Sequence, residues 1–138
     1  MVSFFFQDYR FGGPHNQIKR YVEALPKKHS KEIILIKPKS KNLEIGLINL
    51  KKISKYLYPI EIVMNVFYIL LKKKIFFKKN TISCTIGVYN ISPIISSAIL
   101  NKKSFWFIVE DVSRFSFFLL KVIKFLFSPE IILIDKFL

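Results

Sequence analysis

Five short runs of β-branched and aromatic residues, each followed by a stretch with helical spacing, leave this chain very few folds to adopt. They are VSFFF at 2–6, EIILIK at 32–37, TISCTI at 81–86, SFWFIV at 104–109 and EIILI at 130–134. Each is apolar throughout, as strands covered on both faces are, and alternation of such strands with helices marks β-α-β units around a parallel sheet. The expected class is therefore α/β: a Rossmann-like parallel sheet of about five strands with helices on both faces. The 138 residues, 51% of them hydrophobic, suit one core and one domain over the whole chain.

The intervening helices carry their own signals. From Pro14 to Leu25, Ile18, Tyr21, Val22 and Leu25 recur at helical spacing and predict one core-facing stripe, with Pro14 in the first turn. Two helices broken at Pro59 are expected over 46–57 and 60–77, the second ending in LLKKKIFFKK. Ser92 followed by Pro93 predicts a capped helix that stops at Asn101-Lys102-Lys103. The last helix starts near Ser113 and stops before Ser128-Pro129.

Charge is concentrated in the middle. Between Lys19 and Lys79 there are 16 Lys or Arg against 4 Glu, while the chain as a whole carries +14. Such a field attracts polyanions: anionic lipid headgroups, phosphorylated substrates or nucleic acid. Nucleic acid is disfavoured, because Arg10, Arg20 and Arg114 are the only arginines and no nucleic-acid module is present. The cations Lys72, Lys73, Lys74, Lys78 and Lys79 either complement a helix C-terminus or contact an anionic membrane. The apolar stretches 56–71 and 115–127 are too short and too interrupted to span a bilayer. No signal-like leader opens the sequence, and Cys84, the one cysteine, reads as a small buried hydrophobe. A cytoplasmic protein, peripheral on the inner face of the cell membrane, is expected.

Catalytic material is thin. No metal-ligand spacing, P-loop or complete G-x-G-x-x-G fingerprint occurs, so neither a metal nor another cofactor is expected. An α/β sheet of this kind works in the crevice beyond the C-terminal ends of its strands, and three loops there are candidates. In QDYRFGGPHNQ, Gly12 and Gly13 allow close approach of a ligand, with His15 beside them at a helix start; a plain Gly-Gly turn is the alternative. In GVYNIS, Gly87 permits close approach, while Tyr89 and Asn90 offer hydrogen bonds of the kind a sugar takes. In VEDVS, Glu110 and Asp111 could orient a hydroxyl or act as a base, unless Asp111 merely caps the last helix.

The order of FGGPHNQIKRYVEAL, CTIGVYNISPIISSAIL and NKKSFWFIVEDV resembles the N-terminal, acceptor-side domain of family 4 glycosyltransferases, one half of a GT-B fold. The resemblance covers nearly all of the chain. It implies transfer of a sugar from a nucleotide-sugar donor to a glycan or lipid-linked acceptor, in a cleft completed by a second, donor-binding domain. It also implies that Gly12 and Gly13 line the cleft near the donor phosphates and that Glu110-Asp111 match the family's His-Asp or His-Glu pair near the reacting sugar. Glu110 stands where that family has His. The sequence ends just after its fifth strand run, so the donor-binding domain is expected to be absent and half a cleft should not turn over. The donor half would then be a separate subunit, docking on an apolar face for which Phe4–Phe6 and Phe115–Phe118 leave room. The alternative is a non-catalytic truncated fragment or membrane-surface binding module.

Overall fold

The computed structural model describes residues 1–6, 13–30, 33–36, 58–78, 80–108 and 113–133, with the side chains at 13–15, 29 and 30 excepted. Among them run β1 (Val2–Phe6), α1 (Gly13–Ala24), α2 (Lys27–Ser30), β2 (Ile33–Ile36), α3 (Tyr58–Leu71) and α4 (Lys73–Phe76). β3 (Ile82–Ile86), α5 (Ser92–Ile99), β4 (Ser104–Ile108), α6 (Arg114–Phe127) and β5 (Glu130–Leu133) follow. All five strands lie in one sheet, ordered β2-β1-β3-β4-β5, and every pairing is parallel. This is the expected Rossmann-like α/β arrangement. The expected helix over 46–57 lies outside the described residues.

Strand order determines where the helices go. The chain moves one way from β1 to β2 and the other way from β2 through β3, β4 and β5. Right-handed crossovers therefore put α1 on one face of the sheet and α3, α5 and α6 on the other. α3 packs on α5, and α5 on α6. Parallel register puts Ser3, Phe5, Ser83, Thr85, Ser104 and Trp106 under the three-helix face.

The core lies on that face, in two parts. Under α5 and α6, Val88, Ile91, Ile94, Trp106, Ile108, Leu120 and Ile123 pack together. Under α3 and α4, Phe5, Ile36, Ile69 and Phe77 do the same, with Phe77 stacked on Phe5 at 5.7 Å between ring centroids. Where α5 crosses the sheet its side chains are small: the hydroxyls of Ser96 and Ser97 donate to the carbonyls of Ser92 and Pro93, 2.8 and 2.6 Å away. Thr85 below is fully buried, and its Oγ1 has no hydrogen-bond partner among the described residues. An unpaired buried hydroxyl costs about 1–3 kcal/mol. Thr85→Val, which keeps the shape and removes the oxygen, is expected to stabilise the fold by about 1 kcal/mol. Thermal denaturation checks this, and a lower melting temperature for the variant would contradict it.

Two local expectations change. Pro59 sits in the first turn of α3, where a missing N–H is tolerated, and the helix expected before it lies outside the described residues. The expected single helix over 60–77 breaks at Lys72, giving α3 and α4. Ser92 does not cap α5: the N-cap is Ile91, and the Ser92 hydroxyl instead donates to the carbonyl of Ile62 on α3, 3.3 Å away. The stripe on α1 is also only partly buried. Ile18 and Val22 are half-buried, whereas Tyr21 is 66% exposed and Leu25 is exposed, because no neighbouring helix among the described residues shares that face. α6 keeps both expected ends: Ser113 accepts from the Ser116 N–H at 3.2 Å, and Ser128 closes the helix in the left-handed region at φ 49°.

Candidate functional site

In an open parallel sheet the crevice opens where the strand order reverses, here beyond the C-terminal ends of β1 and β3. The turn after β3 fills this position. Gly87 adopts φ 104°, a conformation other residues avoid, and so bends the chain sharply out of the strand. Its N–H donates to the Phe107 carbonyl at 3.0 Å and its own carbonyl accepts from Trp106 Nε1 at 2.8 Å, so β4 holds the turn from both sides. Asn90 is buried, and its Nδ2 donates to the carbonyls of Phe5 (3.2 Å) and Ile86 (3.4 Å). That amide ties together the ends of β1 and β3, the two strands that flank the crevice.

Tyr89 is the ligand-facing candidate of this turn. It is half-buried, with its ring stacked on Phe115 at 6.4 Å and edge-on to Tyr58 at 6.4 Å. Its hydroxyl lies 3.3 Å from Ser116 Oγ, which lies 2.6 Å from Ser113 Oγ at the start of α6. The Tyr58 hydroxyl donates to the Tyr89 carbonyl at 3.0 Å, which joins the first turn of α3 to the same rim. The described rim is thus aromatic, with Tyr89 and the exposed Ser113 at its edge and Ser116 buried beneath them.

One residue at this rim stands out only in three dimensions. Glu61, in the first turn of α3, is 2% exposed, and neither carboxylate oxygen has a hydrogen-bond partner among the described residues. Burial pushes its carboxyl up to about 7. Tyr58 beside it is held above the usual phenol range, first by burial and then by the charges of Glu61 and Tyr89. In the sequence Glu61 shows only as an interruption of the apolar run 56–71, and the signal that could have found it is a lone acid among apolar residues. Cys84 is buried, and burial pushes its thiol up to about 11, so it is a protonated, inert thiol at neutral pH.

Of the residues singled out in the sequence, Gly87, Tyr89 and Asn90 come together at the crevice. Gly13 and His15 lie at the start of α1 by their backbone. Gly12, Glu110, Asp111 and Lys79 lie outside the described residues, and the N-cap of α6 is Ser113 rather than Asp111. Lys72, Lys73, Lys74 and Lys78 are exposed, at the end of the molecule away from the crevice. Phe5 and Phe6 are core, so the Phe4–Phe6 run offers no docking face, whereas Phe115, Phe117 and Phe118 are more than half exposed. Comparison with protein-family models, with curated proteins and with solved structures found no match.

Proposed function

We propose that the chain is the acceptor-side half of a GT-B glycosyltransferase of the family 4 kind. It would bind a glycan or lipid-linked acceptor and receive a sugar from a nucleotide-sugar donor once a donor-binding half completes the cleft. The observation that carries this reading is the turn of Gly87, Tyr89 and Asn90 at the ends of β1 and β3. A glycine at positive φ, a part-exposed tyrosine and the exposed Ser113 hydroxyl before a helix form a rim there that can match a sugar's hydroxyls. In this reading Gly12 and Gly13 approach the donor phosphates, His15 binds substrate beside them, and Glu110 and Asp111 orient or deprotonate the acceptor hydroxyl. Asn90 acts through the backbone, holding the crevice open at a fixed width, and Tyr89 packs against the acceptor ring.

Calorimetric titration with a panel of nucleotide sugars, first on the chain alone and then on its mixture with a separately expressed donor-binding half, tests this. Binding and transfer in the mixture alone are the expected result. Silence in both arms would remove the glycosyltransferase reading and leave a non-catalytic, membrane-surface module, which the outer face of α3 independently favours.

A further inference from the structure

α3 is inverted for a helix lying on a sheet. The side it turns inward carries Glu61 and Asn65 beside Ile69, while the side it turns to solvent carries Ile60, Val63, Met64, Phe67 and Leu71. These five recur at i, i+3, i+4, i+7 and i+11, which makes one continuous stripe about 17 Å long at 1.5 Å per residue. None is less than half exposed; Phe67 is 64% and Leu71 78% exposed. Ile75 on α4 extends the stripe.

Cations close its far end. Lys72, Lys73, Lys74 and Lys78 are all exposed, and none has an ion pair among the described residues. A fifth cation joins them, because Lys102 Nζ lies 3.5 Å from the Lys78 carbonyl. No helix among the described residues is long and apolar enough to cross a membrane, so this one would have to lie flat on whatever covers it.

Charge decides between occupants. A second copy of the chain, itself carrying +14, would meet this basic surface with like net charge. Protein interfaces also exclude Lys from their centres. An anionic bilayer answers both halves of the surface at once: its acyl boundary takes the apolar stripe and its phosphates take the lysines.

We infer that the outer face of α3 and α4 seats the protein on an anionic lipid bilayer, with Ile60, Val63, Met64, Phe67 and Leu71 entering the acyl boundary and Lys72, Lys73, Lys74 and Lys78 meeting the headgroup phosphates. The stripe starts beside Tyr58, whose hydroxyl bonds the crevice turn, so the seated protein holds its crevice rim at the membrane surface. Presentation of a lipid-linked acceptor there rests on the glycosyltransferase reading. The seating itself does not.

The test is flotation of the whole chain with vesicles of phosphatidylcholine alone or with about a third phosphatidylglycerol, a composition chosen for its negative surface potential. Binding to the anionic vesicles is expected, weakening as salt rises from about 0.1 M to about 1 M because the Debye length falls. Phe67→Glu combined with Leu71→Glu is expected to lower partitioning about 100-fold, and replacement of Lys72, Lys73, Lys74 and Lys78 by Gln about 600-fold, since each lysine contributes about five-fold. All these side chains are exposed, so melting temperatures should match the parent; Val63→Gln with Met64→Gln serves as a second stripe variant. Phe118→Glu with Phe125→Glu on α6 should bind like the parent. Parental binding by both stripe variants, an equal loss in the α6 variant, or a solution dimer that the stripe variants dissociate would each overturn the inference. No sugar enters the assay, so failure here leaves the glycosyltransferase reading standing, and the calorimetric result leaves this one standing.

Discussion

At pH 8 Glu61→Gln should be more stable than the parent by about 3 kcal/mol, and the difference should shrink toward nothing by about pH 4. The unfolded chain releases the Glu61 proton near the ordinary value of 4.5, whereas the folded chain keeps it until about 7. Between those values the folded state binds the extra proton, so stability falls as pH rises, at about 1.36 kcal/mol per pH unit. Below 4.5 both states are protonated and the group contributes nothing; above about 7 both are ionised and the whole penalty is present. The direction is opposite to that of a salt-bridged carboxylate, because Glu61 is buried with neither oxygen partnered among the described residues. Its near neighbour Tyr58 is neutral across this range and does not reverse it. Urea denaturation of parent and variant at about pH 4, 6 and 8 checks the slope. An identical pH dependence in the two proteins would show that another group is responsible.

Trp106→Ala is expected to lose about 3–5 kcal/mol, the range for truncating a fully buried large aromatic. Trp106 is 0% exposed and lies in the cluster with Val88, Ile91, Ile94 and Leu120, so the deletion leaves a cavity between sheet and helices. It also withdraws the Nε1–H from the Gly87 carbonyl, a buried hydrogen bond of 2.8 Å. Trp106→Phe separates the two contributions, keeping a ring while removing the donor, and should lose about 1–3 kcal/mol. Amide hydrogen exchange adds a local readout: in the Phe variant the amides of Asn90 and Ile91, which bond within the turn, should exchange faster relative to those of β4. Uniform acceleration would mean that Trp106 supports the core without holding the turn, and a loss below about 1 kcal/mol for the Ala variant would contradict its place in the core.

The fold was legible because its signals are local. β1 matches its apolar run residue for residue, and the described parts of the other four strands fall within theirs, since short runs rich in β-branched and aromatic residues favour strands by local propensity. The ends of α6 were legible in Ser113 and Ser128-Pro129, whose capping and helix-stopping chemistry acts within a few residues. Ser92 shows where this stops working. A serine before Pro93 has the composition of a cap, but the carbonyl of Ile62 comes within reach only once α3 packs on α5.

The candidate site divides in the same way. Gly87 and Tyr89 could be picked out because a glycine ending a strand implies a sharp turn at the crevice. That the Asn90 amide ties β1 to β3 could not, because its acceptor on Phe5 is 85 residues away in the chain. Glu61 is the clearest case. Glu61 and Asn65, four residues apart, mark one side of α3 as polar, and pattern alone would turn that side to solvent, so Glu61 and Asn65 inside with Phe67 and Leu71 outside is a result of packing on α5 and the sheet. By itself, then, the sequence determined the five strands, the α/β class and the turn after β3, all set by short-range propensity and pattern. The tertiary structure alone decided strand order, the partners of Asn90 and Ser92, and which face of α3 meets solvent, because each depends on groups that are distant in the chain and meet only in the folded protein.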